Sequence, residues 1–273
     1  MRPRTSPWTL LLLGACLQAG GNGAQEAGTG PSSRPASRPA SAPSRPSGPR
    51  IPGVRGFSGL LSEVVRNGRV DYEALAKKRA VLDAYLEGVG RADLRGADRA
   101  AKLAFYINAY NAGCLRLVLD LVLGKGPRGR DLKSVLAVGG VGFFKRRVIR
   151  VAGRTSSLDE IEREGRRLGD PRIHFAVNCA SISCPPLRPR AYEPATLEKD
   201  LEAAARAYLR SPHGHRVIRG RLWVSSIFRW YEKDFGGRAG VAAFLRKRLP
   251  AEARDLLGKG IRFLDYDWSL NSR

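Results

Sequence analysis

The stretch from Ala97 to Gly126, ADRAAKLAFYINAYNAGCLRLVLDLVLGKG, is apolar on nearly every side. A helix of that composition cannot lie on a surface with one face in water. It has to run through the middle of a domain, with other elements laid over it. The pattern predicts one long, mostly buried helix that stops at Gly124 or Gly126. Its polar exceptions constrain it further. Asn108 and Asn111 are three apart and share a face, with Ala104 and Leu115 a turn to either side. Asn is a poor helix former, and a buried amide without partners costs about 1–3 kcal/mol. Both amides therefore need specific partners: the backbone of a neighbouring loop, a substrate or a catalytic group. The loop clamp is the plainer of these readings. Cys114, deeper in the same helix, reads as a small buried hydrophobe.

Shorter elements flank this rod. GFSGLLSEVVRNGRVDYEALAKKRAVLDAYLEGV reads as a short helix, an Asn67-Gly68 turn and a second helix from Tyr72 to about Val89. FFKRRVIRVAGRTSSLDEIEREGRRL suggests a hairpin feeding a helix, with Ser157 and Glu160 spaced as a capping box. IHFAV reads as a strand, TLEKDLEAAARAYLR as a helix, and HRVIRGRLWVSS as a hairpin turning at Arg219-Gly220. Short helices follow at IFRWYEKDF and VAAFLRKRL, and IRFLDYDWSLN closes the chain as a strand and tail. Helices first and non-local strand pairs later give an α+β class. The expected architecture is a single mainly helical domain packed on a small, largely antiparallel sheet.

The first 52 residues are of another kind. Arg2 and Arg4 precede a short apolar run that ends in LLGAC, which resembles a lipobox, so residues 1–16 read as a signal peptide with Cys16 lipidated. Residues 17–52 are Pro, Ser, Arg, Ala and Gly, too poor in apolar surface to fold, and read as a disordered tether. Residues 53–273 remain as one globular domain. The expected location is exported, either lipid-anchored to a bacterial membrane and facing the periplasm or soluble in the periplasm.

The 273-residue chain carries a formal charge of +23. Six of its 48 basic residues and one of its 25 acidic ones lie in residues 1–50, which leaves +18 beyond them. That field favours anionic partners, such as an acidic envelope polymer or lipid head groups, in addition to the membrane reached through the lipid anchor. The basic residues are scattered, without the stripe interleaved with aromatics that nucleic-acid modules show, so nucleic acid is disfavoured. AVGGVGFF lacks the strand-loop-helix setting of a phosphate loop, and no cofactor is implied.

The chemistry-bearing residues gather in IHFAVNCASISCPPLRP, Ile173 to Pro189, although the whole chain has three His and four Cys. Four motifs elsewhere, with this one, bring a family into view. KLAFYINAYNA, SLDEIE, DPRIHFAVNCASISCPPLR, IFRWYEKDF and the terminal YDWSLN resemble the domain-of-unknown-function 547 family, in order, through nearly all of residues 57–271. The resemblance implies a bacterial envelope member of a frequently exported family and supplies no reaction. It also implies that the family keeps a Cys at the Cys179 position while its plant branch has Ser at the Cys184 position. A disulfide between the two is therefore not what the family is built around.

Three readings of the centre stand side by side. In the first, a non-catalytic binding or scaffolding domain holds an acidic envelope ligand on its basic surface, and the Cys/His cluster ties a buried loop. In the second, a Cys-dependent hydrolase or acyltransferase acts on an amide or ester. Cys179 is then nucleophile, His174 base, and Asn178, Asn108 and Asn111 orienting groups, with Asp234 or Asp267 as the acidic third member. Ser181 and Ser183 with the loop amides up to Cys184 would form the oxyanion or anion nest. Alternation along a regular strand opposes this pairing, because it sends His174 and Cys179 to opposite faces unless the strand ends near Val177. The third reading is a structural metal or redox cysteine site. His174, Cys179 and Cys184 are spaced H-x4-C-x4-C, with His213 and His215 as further candidates, but the spacing matches no common zinc pattern. C-x4-C also lacks the tight C-x-x-C geometry that depresses one thiol. If Cys16 is acylated, an odd three thiols remain.

Overall fold

In the computed structural model, Asp98 starts the central helix by accepting the Ala101 N–H, which supplies a cap for the free amides of the first turn. The structure describes residues 48–123, 134–138, 140 and 142–273; the expected leader and most of the tether, and the helix end at Gly124 or Gly126, lie outside the described residues. Pro49–Arg273 form one compact unit. The helix, α4 (Arg99–Leu117), buries Leu103, Phe105, Ile107, Tyr110 and Leu115 together with both asparagines, and it widens into a π-helical turn at Val118–Leu123.

Before it come α1 (Arg55–Val64), α2 (Tyr72–Lys77) and α3 (Arg79–Gly90), so the single second helix expected from Tyr72 is broken at Lys78. After it come α5 (Gly142–Lys145), α6 (Leu158–Arg166) and α7 (Leu197–Arg210). The capping box of α6 is formed as the spacing required, with Ser157 and Glu160 each satisfying the other's backbone N–H. Helices α3 and α6 lie against α4. The approach of α6 needs Gly165, where a Cβ would stand 2.5 Å from Ile173 Cδ1 and 3.4 Å from Tyr106 Cβ.

The α+β class holds, but the small sheet is divided into separate pieces. Strands β1 (Val65–Arg66) and β2 (Arg69–Val70) turn at Asn67 and Gly68, both at positive φ, the conformation of a type I′ hairpin. Strands β3 (Ile149–Val151) and β4 (Arg154–Ser156) form a second hairpin. Strands β5 (His215–Ile218) and β6 (Arg221–Val224) turn at Arg219-Gly220, and β7 (Ile261–Phe263) joins β6 in parallel. A second apolar centre beneath this last sheet gathers Phe175, Tyr208, Phe228, Phe235 and Phe244.

One expected strand is not a strand. Residues Pro171–Phe175, which contain IHF, form a 3-10 turn. Asp170 caps it by accepting the Arg172 N–H, and Pro171 occupies its first position. Asp followed by Pro is a helix-start signal, and here it prevails over the β propensity of Ile173, Phe175 and Val177. Among the described residues no helix is long and apolar enough to cross a membrane.

Candidate functional site

The two helix asparagines set the position of everything downstream. Asn111 donates Nδ2–H to the Ala176 carbonyl at 2.9 Å and accepts the Asn178 N–H at 2.8 Å. Asn108 does the same for Tyr192, donating to its carbonyl at 2.7 Å and accepting its N–H at 2.9 Å. Each amide thus replaces the missing neighbour of one irregular backbone segment. Each gives one donor and one acceptor bond to backbone, the arrangement of a loop clamp. Asn178 is likewise occupied. Its Nδ2–H goes to the Pro185 carbonyl, and its Oδ1 accepts from Ala180 N and Asn271 Nδ2.

After Asn178 the chain turns sharply, with Ala180 in the left-handed region at φ 61°. The tail then pins the loop from outside. Ile182 N–H donates to the Ser269 carbonyl, Ser183 N–H to that of Asp267, and Asn271 N–H to that of Ala180. Tyr72 donates its hydroxyl to Asn271 Oδ1 and so ties the tail to α2.

Inside this loop sit two thiols with opposite electrostatics, both nearly buried and unbridged. Cys179 Sγ lies 3.4 Å from Ser181 Oγ and 3.4 Å from the Tyr266 hydroxyl. Burial pushes Cys179 up, but hydrogen bonds from Cys184, Ser181 and Tyr266 outweigh it and bring the thiol to about 7. Burial and the neighbouring Cys179 sulfur push Cys184 the other way, well above an ordinary thiol. The Cys184 sulfur also accepts the Cys179 N–H at 2.9 Å.

The loop's backbone donors are all engaged. Asn178 N–H goes to Asn111, Cys179 N–H to Cys184 sulfur and Ala180 N–H to Asn178. Ser181 N–H faces the Cys179 sulfur, Ile182 and Ser183 N–H bond the tail, and Cys184 N–H bonds the Ser181 carbonyl. The expected amide nest for an oxyanion is therefore absent from this loop.

His174 belongs to another network. Its Nε2 lies 2.7 Å from Asp234 Oδ2, and Arg166 grips the same carboxylate with Nε and Nη2 at 2.6 and 3.0 Å. Its ring stacks on Tyr231 at 3.8 Å, with the Arg166 guanidinium 4.8 Å from that ring. Burial holds His174 below its usual value, Asp234 opposing, so the neutral ring donates Nε2–H to the carboxylate. On its other side, Nδ1 is 3.8 Å from Glu162 Oε1. Burial raises Glu162 to about 7, and Oε1 has no hydrogen-bond partner among the described residues. No hydrogen bond joins His174 to Cys179 among the described residues. The assigned base and nucleophile sit in separate networks, for a reason unrelated to strand faces: Asp234 and Arg166 fix the imidazole elsewhere.

A small cavity of about 200 Å³ opens beside the loop, lined by Asn178, Ser181, Cys184, His213, Arg69 and Asn271 among others. Ser183 Oγ accepts the Asp267 N–H at 2.9 Å and lies 3.3 Å from His213 Nδ1. Asp267 serves the loop through its backbone, while its carboxylate, in an exposed residue, accepts the Ser269 N–H. No group of three or more His, Cys, Asp or Glu side chains forms a metal set among the described residues. His174, Cys179 and Cys184 do not converge, and His215 bonds the Leu209 carbonyl.

Sequence reasoning placed Cys179, Cys184, Ser181 and Asn178 together, as the structure does. It missed Tyr266, Asn271 and Glu162. Tyr266 and Asn271 lie in YDWSLN, where a Tyr and an Asn flanking an otherwise loop-like tail were the available signal; Glu162 carried none, being one acid among several in α6.

Residues 94–209 match the family model described as Protein of unknown function, DUF547. No curated protein and no solved structure gave a significant match.

Proposed function

From the match of residues 94–209 to the DUF547 family model, we propose that the chain is a thiol-redox protein of the bacterial envelope, in which Cys179 and Cys184 interconvert between dithiol and disulfide. One observation carries the reading: a thiolate-stabilised sulfur and a second, proton-holding sulfur share a loop whose backbone amides are all engaged. Acyl transfer needs a base on the nucleophile and free donors for the oxyanion, and this loop offers neither. Disulfide chemistry needs only a thiolate to attack and a second thiol to resolve, which is the asymmetry present.

The step is balanced as follows. Cys179 thiolate attacks one sulfur of an external disulfide and releases a thiolate. Cys184 then loses its proton, attacks Cys179 Sγ and releases the second thiolate, leaving a Cys179–Cys184 bridge and two reduced sulfurs outside. An external dithiol runs the sequence backwards. Where a relative carries Ser in place of Cys184, a hydroxyl donor to Cys179 persists and the resolving thiol must come from elsewhere. An exported location, through lipidation of Cys16 behind the residue 17–52 tether, suits this chemistry, since disulfides persist outside the cytosol.

A second reading rests on charge. The +18 of residues 51–273 favours an acidic envelope polymer or lipid head groups on the basic surface, with the loop purely structural. One experiment separates the two. The purified chain is treated with diamide and its peptides are mapped without reduction. A Cys179–Cys184 bridge, reversed by dithiothreitol and leaving Cys114 free, is expected. Recovery of both as unmodified thiols overturns the redox reading and leaves the binding one.

A further inference from the structure

We infer that the cavity beside the loop binds a small tetrahedral oxyanion, phosphate or sulfate, held by Arg69, His213 and the side-chain amides of Asn178 and Asn271. Such a site needs neither sulfur to react and so stands apart from the dithiol reading. The cavity measures about 200 Å³. A water occupies roughly 30 Å³ of liquid, so the space takes an ion of about five heavy atoms with a water beside it.

Donors reach the cavity from four parts of the chain. Arg69 comes from the start of β2, His213 from the turn between α7 and β5, Asn178 from the loop and Asn271 from the tail. Asn178 and Asn271 are buried, at 5% and 2% exposure. Each amide nitrogen carries two hydrogens. Asn178 gives one to the Pro185 carbonyl at 2.8 Å, and Asn271 gives one to Asn178 Oδ1 at 3.1 Å. The second hydrogen of each has no acceptor among the described residues. A buried donor left without an acceptor is destabilising, so both call for a partner in the space they line.

Water satisfies those hydrogens but leaves the charge unanswered. Arg69 donates Nη1–H to the Ser272 carbonyl at 3.3 Å, and His213 Nδ1 lies 3.3 Å from Ser183 Oγ. Neither cation forms an ion pair among the described residues, and no Asp or Glu among them lines the cavity. Asp267, whose carboxylate accepts the Ser269 N–H, acts on both from a distance. A donor-rich, acid-free lining with two cations is the chemistry that recognises an anion. A planar carboxylate suits the parallel N–H groups of a single guanidinium. Donors arriving from separate elements instead surround a centre, as the four oxygens of a tetrahedral ion require.

His213 makes the affinity depend on pH. Burial, Arg216 and Arg69 hold it below its usual value, with Asp267 opposing. From the loop, Ser183 and the protonated Cys184 thiol on the same cavity carry no charge. A bound dianion joins Asp267 in favouring the imidazolium, so binding strengthens on acidification.

The test is isothermal titration calorimetry of sulfate into the purified full chain at constant ionic strength, because sulfate keeps its charge between pH 5 and pH 8. Saturable one-to-one binding is expected, tighter by about tenfold at pH 5, which is one pKa unit of coupling. Acetate should bind at least about tenfold more weakly than sulfate. Arg69→Gln and His213→Asn should each weaken sulfate by at least about tenfold, and His213→Asn should remove the pH dependence. Arg246→Gln removes the same charge from an exposed residue that does not line the cavity, and should change the affinity less than about twofold. Phosphate and glycerol 3-phosphate, titrated alongside, tell a free ion from the phosphomonoester end of a larger molecule: equal affinities assign the monoester, a loss with glycerol 3-phosphate the free ion. Absence of saturable sulfate binding overturns the inference. So does an equal loss in all three variants, which would leave only the general positive field. The wild-type titrations against acetate decide the matter even if a variant does not fold.

Discussion

Two polar centres lie within a few residues of one another in sequence, and they differ in what they leave unanswered. Around His174, one carboxylate is held by both an imidazole and a guanidinium, the ring is stacked on Tyr231, and buried Glu162 stands on the other side with Oε1 unpartnered among the described residues. Around Cys179, the Ser181 and Tyr266 hydroxyls lie 3.4 Å from one sulfur, while the second sulfur, Cys184, lines the neighbouring cavity and is held towards its protonated form. His174 and Asp234, which the sequence offered for catalysis, are held here together with Arg166 in one ion-paired group. The loop of Ser and Cys, chemically plainer, holds two thiols pushed in opposite directions.

The sharpest break of this contrast is Asp234→Ala, which leaves Arg166 and His174 facing each other without their carboxylate. A loss of about 4 kcal/mol in urea unfolding is expected, with the pH profile of Cys179 alkylation unchanged. A shifted profile would merge the two centres into one. Next is Asn111→Ala, which orphans the Ala176 carbonyl and the Asn178 N–H in a buried place and should cost about 3 kcal/mol. Because that clamp sets the loop, alkylation of Cys179 should also lose its low midpoint.

Glu162 gives the third. Its folded value, about 7, lies above its unfolded 4.5, so folding favours the proton. Stability from this group is full below about 4.5 and falls as pH rises towards 7. Asp234 acts in the opposite sense, since Arg166 and His174 hold it low; its contribution is present above its unfolded 3.8 and lost on acidification. Glu162→Gln, a mimic of the neutral acid, should therefore flatten the alkaline decline and leave the protein about 2 kcal/mol more stable at pH 8. Thermal unfolding at pH 5 and pH 8 checks it, and an equal shift at both would deny the buried charge. Smallest is Tyr266→Phe. One donor fewer on the thiolate should raise the iodoacetamide midpoint of Cys179 by about one unit, with unfolding almost unaffected.

Much of this was legible beforehand wherever the cause was local. The central helix, the α6 capping box and the Asn67-Gly68 and Arg219-Gly220 turns follow from neighbours within four residues, and the sequence carries those neighbours in plain view. The 3-10 turn at Pro171–Phe175 was legible too, from Asp170-Pro171, but the apolar run after it was weighted more heavily. The acid beside His174 was legible only as a choice between Asp234 and Asp267, of which the structure selects Asp234, and the pairing of Cys179 with Tyr266 was not legible at all. Those partners are 60 and 87 positions apart, and which acid or hydroxyl reaches which group is decided by how α6, α8 (Ile227–Trp230) and the tail pack. Spacing along the chain has no bearing on that.

The tail's grip on the loop sets an order of events. A chain made from its N-terminus presents Cys179 and Cys184 well before Tyr266 and Asn271 exist to cover them. During that interval Cys179 is an unguarded cysteine, open to any stray oxidant or neighbouring thiol. Arrival of the last strand and its following residues is thus the step at which the newborn chain covers its thiols.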